Sequence, residues 1–501
     1  MNGRRRGAGG ARVLDADVCV IGAGAGGAVA AAELAEGGAS VVVLEQGPRH
    51  DADRFSARPL EMLARLYRDG GQTTTLGTPP ILLPLGRGMG GTTLVNSGTC
   101  FRTPPAVLER WRREFGLEAL ADEDALDPCF QRVEQALSIQ EVTPELAGRN
   151  AAVARRGAEA LGWSHGFLRR NARGCVGSGV CAFGCPTSAK QHVGITYVPR
   201  AEAAGAQIIA GADVRRVLVG RGEARGVEAR LLGGGSLEVR APTVIVAAGT
   251  IHTPLLLARS ALGRASGQLG RNLALHPATG AFALMDELVD MAKGVPQSFF
   301  IDEFASEGIM FEGVAGPPSY AAVALPLSGR RHAAAMADYR RLAMFGLMVS
   351  DRSRGSVRGL AGRPVIRYEL LEEDVARFRS GLARMEELFR AAGAREVYLP
   401  LPHGVAPARA RARDLKLMAF HPLGTARADA RAEHGVVDGD LQLHGMRGVY
   451  VADGSVVPSS LGVNPQLTIM ALATRLAFGL LGSDVPQPAK PGRARAGAGT
   501  A

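Results

Sequence analysis

Residues 18–27 read VCVIGAGAGG, and this stretch indicates how the chain begins to fold. Its first four residues form an apolar run with the length and composition of a buried strand. The alanine-rich segment AVAAAELAEGG at 28–38 predicts a helix that ends at glycine, and VVVLE at 41–45 predicts a second strand. The order strand, glycine turn, helix and strand is typical of a parallel α/β sheet that binds a nucleotide.

The glycines of this turn stand in the G-x-G-x-x-G frame. Gly22 permits the tight turn, Gly24 lets the backbone approach a pyrophosphate, and Gly27 lets the helix pack closely on the strand. The N-terminus of the helix attracts phosphates, and Glu45 can bind a ribose hydroxyl. The pattern predicts a dinucleotide site, either for FAD or for NAD; the alternative is a glycine turn that binds nothing.

Length, charge and composition indicate which classes of protein this chain fits. A chain of 501 residues predicts two domains, or one domain with a cap. The net charge of +10 comes mostly from scattered arginines, and only 5% of residues are aromatic, so we expect no nucleic-acid partner. No apolar stretch has the length of a membrane span, and the basic start lacks a separate apolar signal region. A cytoplasmic location is therefore expected.

A second glycine-rich segment, GRGMGGTTLVNSG, occupies residues 86–98. Such a run lets the backbone pass close to a bulky planar ligand. Gly90 and Gly91 would allow this approach, while Thr93 and Asn96 offer polar contacts. Taken alone, the segment is equally typical of a flexible surface loop.

The segments at 18–27 and 86–98, with FHPLGT at 420–425 and VYVADGSVVPSSLGVNPQLTIMA at 449–471, resemble the glucose–methanol–choline (GMC) oxidoreductase family. Within the family, the segment PSSLGVNP most resembles the cholesterol-oxidase and long-chain-alcohol-oxidase-like branch. The resemblance implies FAD as the cofactor and hydride transfer from the CH–OH carbon of an alcohol to the flavin. Hydroxynitrile lyases of the same family keep FAD without net redox turnover, which leaves a lyase or other flavoprotein as the alternative.

The resemblance also implies cofactor contacts outside the first turn. VIVAAGT at 244–250 resembles the strand that returns to the nucleotide, and Val214 matches a backbone contact to adenine. Asp453 closes a strand where a carboxylate can hold the ribityl–phosphate part of a flavin. The cofactor-binding residues predicted in this way are Gly90, Gly91, Thr93, Asn96, Val214, Ala248, Gly249, Asp453, Gly454 and Pro465.

Alcohol oxidation needs a group that takes the hydroxyl proton, and histidine suits this near neutral pH. By the resemblance, His421 is the base and Asn464 orients the substrate oxygen, although His421 is equally typical of a structural residue before proline. Asn464 and Pro465 suit the cap and first turn of the last helix, whose positive end would face the flavin. The branch also uses a carboxylate from its cap, for which the weak candidates are Glu303, Glu307 and Glu312.

Three of the six cysteines, Cys175, Cys181 and Cys185, lie within eleven residues. This spacing is compatible with an iron–sulfur cluster. A zinc site with His192, or three reduced cysteines without metal, are the alternatives. A cluster would favour an electron-acceptor protein over oxygen as the partner of the reduced flavin.

The fold class predicted is α/β: a Rossmann-like FAD-binding domain with an α+β substrate (cap) domain built on an antiparallel sheet. The FAD-binding domain would comprise 15–284, with cap insertions near 101–190, and 416–484. The substrate domain would comprise 285–415, and 485–501 would form a disordered tail. Apolar runs inside the cap, such as FFI at 299–301, favour a hydrophobic alcohol.

Overall fold

A computed structural model describes residues 5–6 and 12–486. The predicted disordered tail therefore lies outside the described residues, except for 485–486. The helices are α1 (Ala25–Glu36), α2 (Pro59–Leu66), α3 (Pro105–Phe115), α4 (Glu123–Ala136), α5 (Pro144–Leu161), α6 (Tyr197–Ala203), α7 (Thr253–Arg259), α8 (Pro318–Ala324), α9 (Gly329–Ala337), α10 (Glu372–Ala391) and α11 (Gln466–Leu481). The strands are β1 (Arg5–Arg6), β2 (Arg12–Asp15), β3 (Val18–Ile21), β4 (Val41–Glu45), β5 (Ile81–Leu82), β6 (Ile139–Glu141), β7 (His165–Phe167), β8 (Arg169–Asn171), β9 (Gln207–Ala210), β10 (Ala212–Gly220), β11 (Glu223–Leu231), β12 (Ser236–Arg240), β13 (Thr243–Val246), β14 (Ala278–Leu284), β15 (Phe299–Ile301), β16 (Ile309–Gly313), β17 (Leu342–Val349), β18 (Ser356–Leu360), β19 (Arg363–Arg367), β20 (Glu396–Tyr398), β21 (Leu417–Met418) and β22 (Val449–Val451).

A five-stranded parallel sheet, in the order β22-β13-β3-β4-β9, forms the first unit. Every residue of β3 and β4 is buried, as expected when helices cover both faces of a parallel sheet. Helix α1 packs against α6 and α11 on this sheet. A second sheet, β1-β2-β12-β11-β10, extends the unit. The predicted Rossmann-like α/β architecture is confirmed.

An eight-stranded sheet forms the second unit. Its order is β5-β21-β14-β17-β16-β15-β7, with β20 also paired to β14, and all its pairs are antiparallel except β21 with β5. Helices α5 and α10 pack together beside it and contact β17. The predicted α+β unit with an antiparallel sheet is therefore confirmed.

The membership of this sheet differs from the predicted limits at 285–415. Strand β14 lies before residue 285, yet it pairs with β17 along its whole length, from Ala278 opposite Met348 to Leu284 opposite Leu342. Strands β5, β7 and β21 also join from outside that range. The sheet thus includes strands from outside 285–415, and the last four residues of β14 are buried in it. The domain limits stay predictions.

None of the helices in the described ranges combines the length and apolar character that a membrane crossing requires.

Candidate active site

A cavity of about 1540 Å³ lies between the carboxyl ends of the parallel strands and the antiparallel sheet. Crevices at this edge of an α/β sheet are where such folds bind ligands. Most predicted site residues line it: Gly22, Gly24, Glu45, Gly91, Thr93, Asn96, Val214, Ala248, Gly249, His421, Asp453, Gly454, Asn464 and Pro465. Gly27 and Gly90 do not line it, and their role is close packing.

The first glycine turn has the predicted geometry. Gly22 adopts φ +98°, and a Cβ there would overlap the carbonyl oxygen of Ala247. A Cβ at Gly27 would overlap the carbonyl oxygen of Gly22, so this glycine lets α1 approach β3. Gly24 differs, because the nearest atom to a Cβ there is the Cα of Gly91, 3.9 Å away. Space therefore remains at Gly24, beside the start of α1.

Glu45 closes this turn. Its carboxylate accepts hydrogen bonds from the backbone N–H of Ala23 (2.9 Å) and of Gly47 (2.7 Å). Burial raises the pKa of Glu45, while these two hydrogen bonds act in the opposite direction. The residue thus fixes the wall of the cavity at the end of β4, where the sequence placed a ribose contact.

Asp453 links the ends of the parallel strands β13 and β22 at the edge of the sheet that borders the cavity. Its carboxylate accepts hydrogen bonds from the backbone N–H of Gly249 (2.9 Å), the hydroxyl of Thr253 (2.5 Å) and the backbone N–H of Ser455 (2.8 Å). Burial raises the pKa of Asp453 against these bonds. The carboxylate therefore holds together the turns that follow β13 and β22.

The segment at 86–98 folds against the first turn. Gly90 and Gly91 adopt φ +111° and +55°, and Thr93 donates a hydrogen bond to the Gly90 carbonyl (2.6 Å). Asn96 donates to the side-chain oxygen of Gln466 (2.8 Å), near the start of α11. The segment is thus an ordered wall of the cavity, which was the interpretation favoured over a flexible loop.

At the other end, three polar side chains converge. The Nδ2 of Asn464 lies 3.3 Å from the Nε2 of His421 and 3.4 Å from the Oε2 of Glu312, to which Gln297 also donates (2.5 Å). Asn464 Oδ1, His421 Nδ1 and Glu312 Oε1 are buried and have no partner among the described residues. Buried polar atoms are rarely left unpaired, so this end of the cavity is suited to a polar ligand atom.

The pKa values of Glu312 and His421 are shifted in opposite directions. Burial raises the pKa of Glu312 to about 7, although the hydrogen bond from Asn464 opposes this. Burial, and secondarily the neighbouring His276, hold the pKa of His421 well below its ordinary value. Pairs of groups shifted apart in this way are typical of sites that transfer protons.

Of the three candidate carboxylates, only Glu312 reaches this site. Glu303 accepts a hydrogen bond from Ser164 N–H (2.8 Å), and Glu307 pairs with Arg384 (2.9 Å); both are exposed and neither lines the cavity. The sequence carried one usable signal, because Glu312 is an acid inside the apolar run IMFEG of β16.

Models of known families match most of the chain. A GMC oxidoreductase model matches residues 63–278, its C-terminal counterpart matches 351–473, and an FAD-binding-domain model matches 17–56. An uncharacterized GMC-type oxidoreductase of Mycobacterium tuberculosis (strain ATCC 25618 / H37Rv) is 45% identical over 93% of this chain and 76% of its own length. The chain belongs to the GMC oxidoreductase family. It is an FAD-dependent oxidoreductase, as the sequence resemblance implied.

Other relatives of this GMC oxidoreductase are more distant. A long-chain-alcohol oxidase of Arabidopsis thaliana is 28% identical over 91% of this chain and 66% of its own length. The structure of pyridoxine 4-oxidase from Mesorbium loti superposes with a TM-score of 0.74, at 21% identity over 92% of this chain and 98% of the other. Formate oxidase from Aspergillus oryzae RIB40 gives 0.74 at 16% identity over 93% and 97%. At these identities, the two structures show the shared fold.

The residues of this GMC oxidoreductase fit FAD. The space left at Gly24 meets the start of α1, where unpaired N–H groups suit phosphates. Three further buried polar atoms belong to cavity-lining residues and have no hydrogen-bond partner within 5–6 and 12–486, namely Thr73 Oγ1, Arg87 Nε and His252 Nε2. The cavity therefore offers polar atoms to a ligand outside the Glu312 site as well.

The predicted iron–sulfur ligands require a correction. Within the described residues, which include Cys175, Cys181 and Cys185, no three metal-ligating side chains converge on one point. The Sγ of Cys181 accepts a hydrogen bond from the guanidinium of Arg170 (3.2 Å), and that of Cys185 accepts one from the backbone N–H of Lys190 (3.5 Å). Cys175 is half-buried elsewhere in the loop. The three thiols thus have separate surroundings and do not form a ligand set.

Lys190 connects the cysteine segment to its surroundings. Its side chain is 2% exposed and donates to the carbonyl oxygens of Leu94 (2.8 Å), Asn96 (2.7 Å) and Cys181 (2.9 Å). Burial lowers the pKa of Lys190 to about 8. This lysine ties the cysteine segment to the segment at 86–98, a link that the sequence analysis did not predict.

Proposed function

We propose that this GMC oxidoreductase removes a hydride from the CH–OH carbon of an alcohol, with bound FAD as the hydride acceptor. The observation that carries the proposal is the convergence of Glu312, Asn464 and His421 on one end of the cavity, each with a buried polar atom that no other described residue satisfies. A hydroxyl group can satisfy such a donor–acceptor set. The long-chain-alcohol oxidases among the relatives act on the same kind of group.

FAD would lie along the cavity from the glycine turn to His421. The start of α1 and Gly24 would hold its phosphates, Glu45 a ribose, and the backbone at Val214 the adenine. Gly91, Thr93, Asn96, Ala248, Gly249, Asp453, Gly454 and Pro465 would surround the remainder. When bound, the flavin supplies the two-electron acceptor that no amino-acid side chain provides.

The chain's own residues would handle the proton. Burial disfavours the charged form of His421, so one nitrogen of its neutral ring carries a lone pair that could accept the hydroxyl proton. The side-chain amide of Asn464 would orient the substrate oxygen. Glu312 is a second candidate for the proton acceptor, favoured by its pKa of about 7 and by its contact with Asn464.

The substrate end of the cavity favours a hydrophobic alcohol. Its wall beyond the polar set is largely apolar and includes Leu63, Val314, Tyr320, Val323, Met344 and Met348. Such a wall favours a substrate whose CH–OH group is attached to an apolar body. The relatives named as oxidases favour oxygen, rather than a carrier protein, as the final electron acceptor. A cytoplasmic location remains a prediction.

The test is anaerobic flavin reduction in the purified holoenzyme. Alcohols of increasing chain length should bleach the flavin bands, and carboxylic acids of matched length should not, because they lack a CH–OH hydrogen. Protein that contains no flavin, or flavin that stays oxidised with every alcohol while dithionite reduces it, would contradict the proposal. The second result would leave the lyase alternative.

A further inference from the structure

His276 is a buried histidine that lines the cavity and to which no role has been assigned. Its backbone adopts φ +50°, a conformation that residues with a side chain rarely occupy. The carboxylate of Asp351 accepts hydrogen bonds from the backbone N–H of His276 (3.1 Å) and of Leu275 (3.0 Å). Backbone in this region persists where the surroundings determine it, which occurs often at functional sites.

The hydrogen bonds of the ring fix its tautomer. The Nε2 of His276 accepts from the backbone N–H of Leu461 (2.8 Å) and of Gly462 (3.0 Å). A nitrogen that accepts two N–H groups carries no proton, so the proton of the neutral ring is on Nδ1. Burial lowers the pKa of His276 to about 3, so the ring stays neutral at ordinary pH. Its Nδ1 is buried and has no partner among the described residues.

The same ring contacts both polar segments of the site. Leu461 and Gly462 belong to the segment that leads to Asn464. The ring also packs edge-to-face on that of His421, with centroids 5.4 Å apart and an angle of 75° between the planes. One imidazole therefore contacts both the segment that leads to Asn464 and His421.

We propose that His276 is a positioning residue, which holds His421 and the Asn464 segment in register through a ring locked in its Nδ1–H form. The inference rests on the proposed function. Because Nε2 is committed to the Asn464 segment, the Nδ1–H edge is the polar part of the ring left for His421 and the reacting oxygen. A fixed N–H dipole beside His421 also disfavours a second proton there, in the direction already found for that residue.

Two substitutions test the roles of the two ring nitrogens of His276 separately. In His276→Gln, the amide oxygen can reach the position of Nε2 and keep the bonds to Leu461 and Gly462, but the donor at Nδ1 is lost. In His276→Asn, the amide lies near Nδ1, and the acceptor for the two backbone groups is lost. A residue that only anchors the segment would tolerate Gln and not Asn.

We expect His276→Gln holoenzyme to keep its FAD content and melting temperature but to reduce its flavin with alcohol at least tenfold more slowly, with a displaced pH profile. His276→Asn should melt at a lower temperature and, per bound flavin, react faster than the Gln variant. A Gln variant with wild-type rate and pH profile would overturn the inference and leave His276 as an anchor.

A second measurement is independent of turnover. Nitrogen NMR of holoenzyme labelled at histidine should show His276 protonated on Nδ1 alone, and His276→Gln should raise the pKa of His421. The opposite tautomer, or an unmoved His421 titration, would also overturn the inference. If no alcohol reduces the wild-type flavin, the proposed function fails, whereas these NMR results still decide the role of His276.

Discussion

The side-chain nitrogen of Asn464, just before α11, lies 3.4 Å from the Oε2 of Glu312 on β16. The first residue belongs to the C-terminal part of the nucleotide-binding unit, and the second to the antiparallel sheet. The contact therefore exists only when both units are folded and packed together. It places a carboxyl group whose pKa is raised to about 7 beside the residue proposed to hold the substrate oxygen.

Glu312→Gln tests which group takes the proton. A carboxyl with a pKa of about 7 is protonated below that pH and ionised above it. If Glu312 is the acceptor, kcat/KM should fall as the pH drops through about 7, and Glu312→Gln should abolish this limb and cost about 10²- to 10⁴-fold in rate. If His421 is the acceptor, its lowered pKa predicts no such limb. Stopped-flow flavin reduction across pH distinguishes the two.

Glu312 should also lower stability as the pH rises. The folded protein holds this proton up to about pH 7, whereas the unfolded chain releases it near 4.5. Stability is therefore lost between these values, by about 3 kcal/mol in total at ~1.4 kcal/mol per pKa unit. Glu312→Gln should melt above the wild type at pH 8 and close to it at pH 4. An equal difference at both pH values would contradict a raised pKa.

The nucleotide turn could be predicted because its causes are local. Gly22 and Gly27 are required by backbone contacts with residues near in sequence or in the adjacent strand, and the frame of glycines reports this directly. His421 and Asn464 were also named from sequence, since each stands next to proline in a recognisable segment, and their catalytic roles stay predictions. Their proximity, at 3.3 Å, was not deducible without the resemblance.

The apolar run around Glu312 indicates burial, but the sequence could not show that this residue reaches the site, because its position depends on pairing between β15, β16 and β17. Glu303, Glu307 and Glu312 lie within ten residues and are equivalent by residue type, but of these three only Glu312 lines the cavity. The cysteine spacing misled for a related reason. Spacing does not reveal that the side chain of Lys190, distant from Leu94 in sequence, fills the centre of that segment.

His421→Ala should lose several orders of magnitude in the rate of flavin reduction while keeping bound FAD. The side chain lines the substrate end of the cavity, away from the glycine turn, so its loss leaves the cofactor cradle intact. His403→Ala is the matched control, because His403 is exposed and does not line the cavity. Full turnover by His421→Ala would remove this residue from the mechanism.

Gly24→Val separates cofactor binding from folding. The backbone at Gly24 has φ −83°, which any residue can adopt, and the nearest atom to a new Cβ is 3.9 Å away. The variant should therefore fold but fill the space meant for the phosphates, giving colourless protein with a normal far-ultraviolet circular dichroism spectrum. Gly233→Val, at an open position outside the cavity, should stay yellow. A Gly24→Val protein with full FAD content would disprove the cradle.

Lys190→Met should destabilise the segment at 86–98, which lines the cavity, although Lys190 itself does not line it. The substitution keeps the apolar stem but removes the ammonium group that serves three buried carbonyl oxygens, and each acceptor left unsatisfied costs about 1–3 kcal/mol. Because two of these carbonyls belong to Leu94 and Asn96, the loss should loosen the segment at 86–98 and accelerate FAD release. Lys293→Met is the control, since that side chain is 81% exposed. If the two variants had the same stability to chemical denaturation and the same rate of FAD release, Lys190 would not be the residue that orders the cysteine segment. Iron and zinc analysis of the wild-type protein would then be the decisive measurement for that segment.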